Sequence, residues 1–167
     1  MVVLLLLLLS ATLRTSAVTC AEGPLPKFRV FVGHRVDLDL TFRTVVSLSG
    51  FGLSRITLVD TSSNLEAIND HALAALGVRL VEARGVAYFA GFVEFVRRTA
   101  IAEELDAFFW VHSDVDIGVE GVARGLASLC AVHHSGVRWG ALLFSWDLYS
   151  AFSVPAVAAT GRWDSGK

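Results

Sequence analysis

Short apolar runs alternate with longer amphipathic segments along most of this chain, and that alternation is the strongest constraint on its fold. The run over residues 108–111, FFWV, is apolar at every position and bounded by polar residues, which is typical of a strand buried on both faces. Similar runs predict strands over residues 28–33, 56–59, 78–81 and 141–144. Strands that alternate with helices predict a three-layer α/β domain, in which a mostly parallel sheet carries helices on both faces.

The segments between the strands have the spacing of amphipathic helices, over residues 40–49, 65–76, 89–105 and 120–132. An apolar face is predicted for the first of these helices, formed by Leu40, Phe42, Val45, Val46 and Leu48. Residues 151–159 have no assignment, because Pro155 interrupts an otherwise helical pattern.

Composition places the chain among folded proteins and away from nucleic-acid binders. Hydrophobic residues make up 54% of its 167 residues and charged residues 18%, so one core of ordinary size can form. Fourteen Lys and Arg stand against 16 Asp and Glu, which gives a formal charge of −2, and the basic residues are scattered. Without a basic stripe, nucleic acid is not expected as a partner.

The amino terminus is expected to be a secretory leader. Residues 1–9 are Met, Val and Leu only, and the apolar stretch closes at Arg14, which suits a signal-peptide core and is shorter than a membrane span. We predict a signal peptide or short signal anchor over residues 1–21, a linker over 22–27 and one domain over 28–167. The domain is then expected in the ER or Golgi lumen or outside the cell, with a membrane as partner only if the leader is uncleaved.

Two small-residue sequences in the leader could serve a signal peptidase, one ending at Ala17 and the other at Ala21. Cleavage after Ala21 would remove Cys20 and leave Cys130 as the only cysteine. A total of two cysteines excludes a disulfide framework. Cys130, which lies on an apolar helical stretch, is therefore predicted to be a small buried hydrophobic residue.

The candidate chemistry follows the FFWV run directly, in the sequence His112-Ser113-Asp114-Val115-Asp116. Ligands bind at the carboxyl ends of the strands in a parallel α/β sheet. Two carboxylates one residue apart in a loop can bind a hard divalent cation such as Mg²⁺ or Mn²⁺, which shares such ligands with substrate phosphates. The alternative is that both aspartates cap the next helix or lie in a solvated turn.

Three segments, in order along the chain, resemble motifs of the family 2-like glycosyltransferases. Residues 56–64, ITLVDTSSN, are similar to the "VDNSS" segment at the end of their second strand, and residues 109–116 to their Asp-x-Asp strand. Residues 139–144, Asp147 and residues 157–164 resemble their later strand and "vGxWD" segment. The resemblance covers residues 28–164 and implies the GT-A fold, a Rossmann-like α/β fold, with a nucleotide-diphosphate sugar as donor and Mn²⁺ or Mg²⁺ as cofactor.

On the nucleotide side, the resemblance implies that Asp60 contacts the base or the ribose. Ser62, which follows the same strand, can offer a hydroxyl beside it. Gly33 and Arg35 would form the first loop against the nucleotide. Each residue also has a structural interpretation: Asp60 as a turn residue, Gly33 as the end of a strand and Arg35 as a solvated charge.

On the metal side, the resemblance implies that Asp114 faces the ribose and the metal while Asp116 binds the metal directly. One departure concerns the catalytic base. Inverting members of the family carry an Asp or Glu after the "WD" segment, whereas this sequence ends at Lys167. Asp164 is the one late carboxylate in family position and is assigned to the acceptor side, and the fold is expected to be incomplete at its carboxyl-terminal end.

The sequence thus indicates a metal-dependent glycosyltransferase domain that transfers a sugar to an unknown acceptor. The first alternative is a catalytically silent GT-A-like domain that binds a nucleotide sugar or a partner without transferring anything. A third interpretation takes Asp114 and Asp116 as the nucleophile and acid of an aspartate-dependent phosphatase. That class places its pair after the first strand and has Thr or Val two residues further on, where this chain has Gly118.

Overall fold

A computed structural model describes residues 19–34, 38–61, 70–83, 89–145 and 149–161 of the chain. Its six strands are β1 (Phe28–His34), β2 (Ile56–Asp60), β3 (Arg79–Glu82), β4 (Ala107–His112), β5 (Ala141–Ser145) and β6 (Tyr149–Ser153). Its helices are α1 (Leu38–Ser47), α2 (Asp70–Ala75), α3 (Phe89–Ala102), α4 (Gly118–His134) and α5 (Val154–Ala159), with two 3₁₀ turns at Ser49–Phe51 and Leu53–Arg55. The predicted strands are all present, as are the helices predicted over residues 40–49, 89–105 and 120–132, with ends that differ by a few residues. Of the helix predicted over residues 65–76, α2 is the described part, because residues 62–69 lie outside the described residues.

All six strands form one sheet in the order β3-β2-β1-β4-β6-β5. Strands β3, β2, β1 and β4 run parallel, whereas β6 is antiparallel to both β4 and β5. The FFWV run lies in β4 near the middle of the sheet, as predicted. The mostly parallel α/β architecture is therefore confirmed.

Two apolar cores cover the two faces of the sheet, and β4 contributes to both because successive side chains point to opposite faces. Phe109 and Val111 lie in the core beneath α4 and the 3₁₀ turns. Phe108 and Trp110 lie in the other core, against α3 and α5. Helices on both faces, the three-layer arrangement expected from the sequence, are thus confirmed.

Helix α1 departs from its predicted apolar face. Val45 and Leu48 are buried, but Leu40 and Val46 are 39% and 36% exposed. Thr41 and Thr44 are instead 1% and 2% exposed. This helix therefore turns a partly polar face toward the sheet, and the reason lies at the carboxyl ends of the strands.

Residues 151–159, left unassigned above, contain the end of β6 and the whole of α5. Pro155 lies in the first turn of α5, where a missing N–H costs nothing, and the Ser153 hydroxyl accepts a hydrogen bond from the backbone N–H of Ala156 at 3.4 Å. Pro155 therefore begins a helix, and treating it as an interruption was wrong.

Helix α4 packs closely on β6 through glycine. The hydroxyl of Tyr149 donates a hydrogen bond to the carbonyl of Gly121 at 3.2 Å, and burial raises the pKa of this phenol, which keeps the donor protonated. A Cβ at Gly125 would overlap the same hydroxyl. Tyr149 can therefore pack beneath α4 because residue 125 has no side chain.

The interpretation of the cysteines was wrong. Cys20 and Cys130 form a disulfide, with Cα atoms 5.5 Å apart and a sequence separation of 110. Cys130 lies near the end of α4, and His134 at that end also donates through Nε2 to the Pro24 carbonyl at 3.0 Å. The segment that precedes β1 is therefore attached to α4, a contact that only the fold creates.

At the amino ends of the strands, Glu103 pairs with Arg29 of β1 and Arg79 of β3. Desolvation would raise the pKa of Glu103, but the hydrogen bonds and charges of the two arginines together lower it below its ordinary value. This ionic cluster lies at the edge opposite to the expected ligand site.

Candidate functional site

The carboxyl ends of β2, β1 and β4 lie side by side and bring polar residues from three parts of the chain to one edge. His34 is opposite Asp60 in the register between β1 and β2, and Gly33 is opposite His112 in the register between β1 and β4. Asp60 is also opposite Glu82 of β3. The convergence expected from the alternating pattern is therefore present for Asp60 and for the residues that follow β4.

Asp114 and Asp116 lie in the loop between β4 and α4, and both are exposed. Within the part of the chain that the structure describes, neither carboxylate forms a hydrogen bond or an ion pair. Neither serves as the side-chain cap of α4, because the residue before this helix is Ile117 and no side chain caps it. Two unpaired carboxylates at the carboxyl edge are thus available to a ligand.

The loop that bears the aspartates is held from below by α1. The Thr44 hydroxyl lies 2.8 Å from the carbonyl oxygen of Ser113 and 3.0 Å from that of Val115, and it can donate to either. Thr44 is almost fully buried. The backbone around Asp114 and Asp116 is therefore anchored although both side chains face solvent.

The ends of β1 and β2 are joined by a second set of hydrogen bonds. The His34 carbonyl accepts from both the backbone N–H and the hydroxyl of Thr61, each at 2.9 Å. The His34 ring is buried and shares a hydrogen bond of 2.7 Å between Nδ1 and the Thr41 hydroxyl. These contacts fix the strand ends on either side of Asp60.

Gly33 lies inside β1, which continues to His34, so it does not end the strand. A Cβ at this position would come within 3.1 Å of the Phe92 ring. The structure thus gives Gly33 a packing role beneath α3, and its role toward a nucleotide stays a prediction. Arg35, Ser62 and Asp164 lie outside the described residues, as does most of the leader, so their predicted roles stay predictions as well.

Three residues at this edge were not selected from the sequence: His34, Thr41 and Thr44. The threonines lie three residues apart in α1, a spacing that places them on one helical face. Their burial beside apolar neighbours was not readable from hydropathy, and only the partners at the strand ends explain it.

The residues at the edge fit a divalent cation. No group of three or more His, Cys, Asp and Glu side chains that could enclose a metal occurs among the described residues. Mg²⁺ and Mn²⁺ do not need such a cage when phosphate oxygens complete the coordination, and one or two carboxylates are then sufficient. Asp114 and Asp116 supply that number of hard oxygen ligands on an anchored loop.

Comparison with known proteins gives matches in structure and none in sequence. Neither a protein-family model nor a curated protein sequence matches the chain. A mannosyltransferase from Pyrobaculum calidifontis, solved with GDP-Man and Mn²⁺, superposes with a TM-score of 0.58 at 14% identity over 94% of this chain. A cytidylyltransferase from Leptospira borgpetersenii superposes with a TM-score of 0.57 at 10% identity over 80% of the chain. CMP:2-keto-3-deoxy-manno-octonic acid synthetase, complexed with CTP, superposes with a TM-score of 0.53 at 7% identity over 84% of the chain.

The chain has the GT-A-like fold of nucleotide-diphospho-sugar transferases. The match confirms the fold that the resemblance over residues 28–164 implied. At these identities it extends to the fold alone, and the chain spans 54% of the mannosyltransferase and 63% of the cytidylyltransferase. In the part that the structure describes, no helix has the length and apolarity needed to cross a membrane.

Proposed function

We propose that this GT-A-like domain binds a nucleotide-diphosphate sugar through Mn²⁺ or Mg²⁺ held by Asp114 and Asp116, and transfers the sugar to an acceptor. One observation carries the proposal: two exposed, unpaired carboxylates stand on an anchored loop at the carboxyl edge of this sheet.

The two carboxylates and the diphosphate of a donor would repel each other without a cation between them. Bound at this loop, a divalent ion supplies the positive charge that offsets both. Asp60 lies two strands away, across β1, and a carboxylate there accepts hydrogen bonds from a ribose or a base edge but repels phosphate. The nucleoside is therefore expected over β1 and β2, with the phosphates toward β4.

A nucleotide-sugar-binding domain without transfer is the second candidate. It rests on the same carboxyl-edge residues, since Asp114 and Asp116 would bind the metal and Asp60 the nucleoside whether or not a sugar is transferred. Hydrolysis of UDP-sugars and GDP-sugars, with and without Mn²⁺, separates the two candidates. A transferase releases nucleoside diphosphate slowly in water, whereas a binding domain binds and releases none.

Calorimetric titration of UDP and GDP, with and without Mn²⁺, tests the site in four proteins. Asp116→Asn should abolish the Mn²⁺-dependent part of the affinity, because the cation loses a charged oxygen ligand. Asp60→Ala should weaken binding by about 1 to 3 kcal/mol in both conditions, as for loss of a hydrogen bond to a charged group. Glu120→Gln, an exposed acid in the first turn of α4, is the charge-matched control and should behave as the parent.

Two outcomes would contradict the proposal. Equal Mn²⁺ dependence in the parent and Asp116→Asn would remove the aspartates from the site. An equal loss of affinity in Glu120→Gln and Asp116→Asn would show that both substitutions act through the overall negative charge near the loop and not through a metal ligand.

We also propose that the domain works in the lumen of the secretory pathway or outside the cell. The Cys20–Cys130 disulfide supports this, because disulfides persist in oxidising compartments and are rare in the cytosol. The leader predicted over residues 1–21 points the same way. Localisation of the tagged full chain, with a reporter for oxidised thiols, checks the assignment.

A further inference from the structure

One buried hydroxyl lies beneath both aspartates of the candidate metal loop. Thr44 is 2% exposed, and its Oγ1 lies 2.8 Å from the Ser113 carbonyl and 3.0 Å from the Val115 carbonyl. The Ser113 carbonyl belongs to the peptide unit that joins Ser113 to Asp114. The Val115 carbonyl belongs to the unit that joins Val115 to Asp116. The peptide units immediately before the two aspartates therefore share one donor.

We infer that Thr44 is a positioning residue: its hydroxyl sets the directions of the Asp114 and Asp116 side chains and so raises the affinity of the loop for a divalent cation. The inference rests on the proposed function, because it assigns the two aspartates to the metal.

A threonine hydroxyl carries one proton, so it bonds one carbonyl at a time or shares the proton between both. In either case the two carbonyl oxygens are drawn toward the same point beneath the loop. This restricts rotation of both peptide units before any cation arrives. A cation that meets ligands already oriented pays less conformational entropy on binding.

The anchor is itself rigidly placed. Thr44 belongs to α1, and its own carbonyl accepts hydrogen bonds from the Ser47 hydroxyl at 2.8 Å and the Leu48 backbone N–H at 3.1 Å. One turn earlier, Thr41 bonds the ring of His34 at the end of β1. Helix α1 thus connects the loop after β4 to the end of β1, and a loop held to a helix is more precise than a free one.

Substitutions of Thr44 separate the effect of its hydroxyl from the effect of its methyl group and shape. Thr44→Val keeps the shape and removes the donor, whereas Thr44→Ser keeps the donor and removes the methyl group. Thr44→Ala is compared with Thr44→Ser, since these two variants differ only in the hydroxyl. Thr57→Val is the matched control: Thr57 is fully buried in β2, and its hydroxyl has no hydrogen-bond partner within the described part of the chain.

Two readouts are needed, one with metal and one without. Mn²⁺ affinity is measured by calorimetric titration in the presence of UDP or GDP, because phosphate oxygens complete the coordination of the ion. Thr44→Val and Thr44→Ala should bind Mn²⁺ about tenfold more weakly, at the lower end of the effect of losing a residue that supports metal ligands. Thr44→Ser and Thr57→Val should stay within about twofold of the parent. In the metal-free protein, NMR order parameters of residues 113–116 should fall in the Val and Ala variants only.

The outcomes separate this inference from the function on which it rests. Mn²⁺ binding that is lost in Asp116→Asn but unchanged in Thr44→Val and Thr44→Ala would overturn the role of Thr44 and leave the metal site standing. A parent that binds no Mn²⁺, with a loop that still becomes mobile in Thr44→Val, would overturn the metal site and the affinity role together, leaving only the anchor. If Thr44→Ser folds and neither Val nor Ala does, the hydroxyl serves the whole fold and its assignment to the loop is wrong.

Discussion

The disulfide between Cys20 and Cys130 gives the largest predicted effect on stability, and its size follows from the sequence separation. The bridge joins residues 110 apart, so in the unfolded chain it closes a long loop. The chain-entropy relation gives a stabilisation of about 5 kcal/mol for a loop of this length. Measured values are usually about 2 to 4 kcal/mol, so we expect removal of the bridge to lower the free energy of unfolding by about 2 to 5 kcal/mol.

The bridge is removed in three variants, Cys20→Ala, Cys130→Ala and the double variant. Their free energies of unfolding are measured in urea without reductant. Either single substitution removes the whole bridge, so each should cost most of the expected amount. The double variant should then cost little more than either single one, because the interaction can be lost only once. Thiol titration of the unreduced, denatured parent should detect no free cysteine.

Additive effects of the two single substitutions would refute the bridge, since additivity is the behaviour of independent sites. Two titratable thiols in the denatured parent would refute it directly. Cys130 would then be the small buried hydrophobic residue that the sequence suggested.

Two further predictions concern packing and pH. Gly125→Ala should destabilise the domain by about 1 to 3 kcal/mol in urea unfolding, because the new Cβ displaces the Tyr149 hydroxyl. Gly140→Ala is the control: a Cβ there meets nothing within 4 Å, so the free energy of unfolding should change by less than about 0.5 kcal/mol. The pKa of Glu103 is lowered below 4.5, so its ion pairs should stabilise the protein fully above that pH and lose their effect as the pH falls through the lowered value. The difference in free energy of unfolding between the parent and Glu103→Gln should therefore shrink from pH 7 to pH 3.

The sheet and its covering helices were readable from the sequence because their signal is local. A run such as FFWV is buried on both faces wherever it lies in a parallel sheet, so its hydropathy alone predicts the strand. β6 was not predicted, since its sequence YSAFS is half polar and its strand conformation depends on pairing with β4 and β5. The antiparallel pairing at that side of the sheet depends on tertiary contacts, so no local sequence pattern predicts it.

The support of the candidate site was not readable, and α1 shows why. Hydropathy assigned its buried face to apolar residues that included Leu40 and Val46, yet the structure buries Thr41 and Thr44 in preference to them. A buried hydroxyl is tolerated when it has a hydrogen-bond partner. Those partners are His34, 7 residues away, and the carbonyls of residues 113 and 115, 69 and 71 residues away. Asp114 and Asp116, by contrast, were selected from the sequence because they follow a strand directly, and their role toward a metal stays a prediction.

The disulfide favours one of the two possible processing sites in the leader. Cleavage after Ala21 would remove Cys20, whereas cleavage after Ala17 would retain it. Because Cys20 is bridged to Cys130, and because Pro24 beside it accepts a hydrogen bond from His134, the segment that follows residue 18 belongs to the folded domain. A leader that is cleaved should therefore be cleaved after Ala17, so that the mature protein begins at Val18. Amino-terminal sequencing of the protein recovered from secretory cells checks this, with Cys20→Ala as the control that shows whether the cleavage site depends on the bridge. A mature chain that begins at Glu22 would leave Cys130 unpaired, and the covalent attachment of the amino-terminal segment to α4 would then have to be given up.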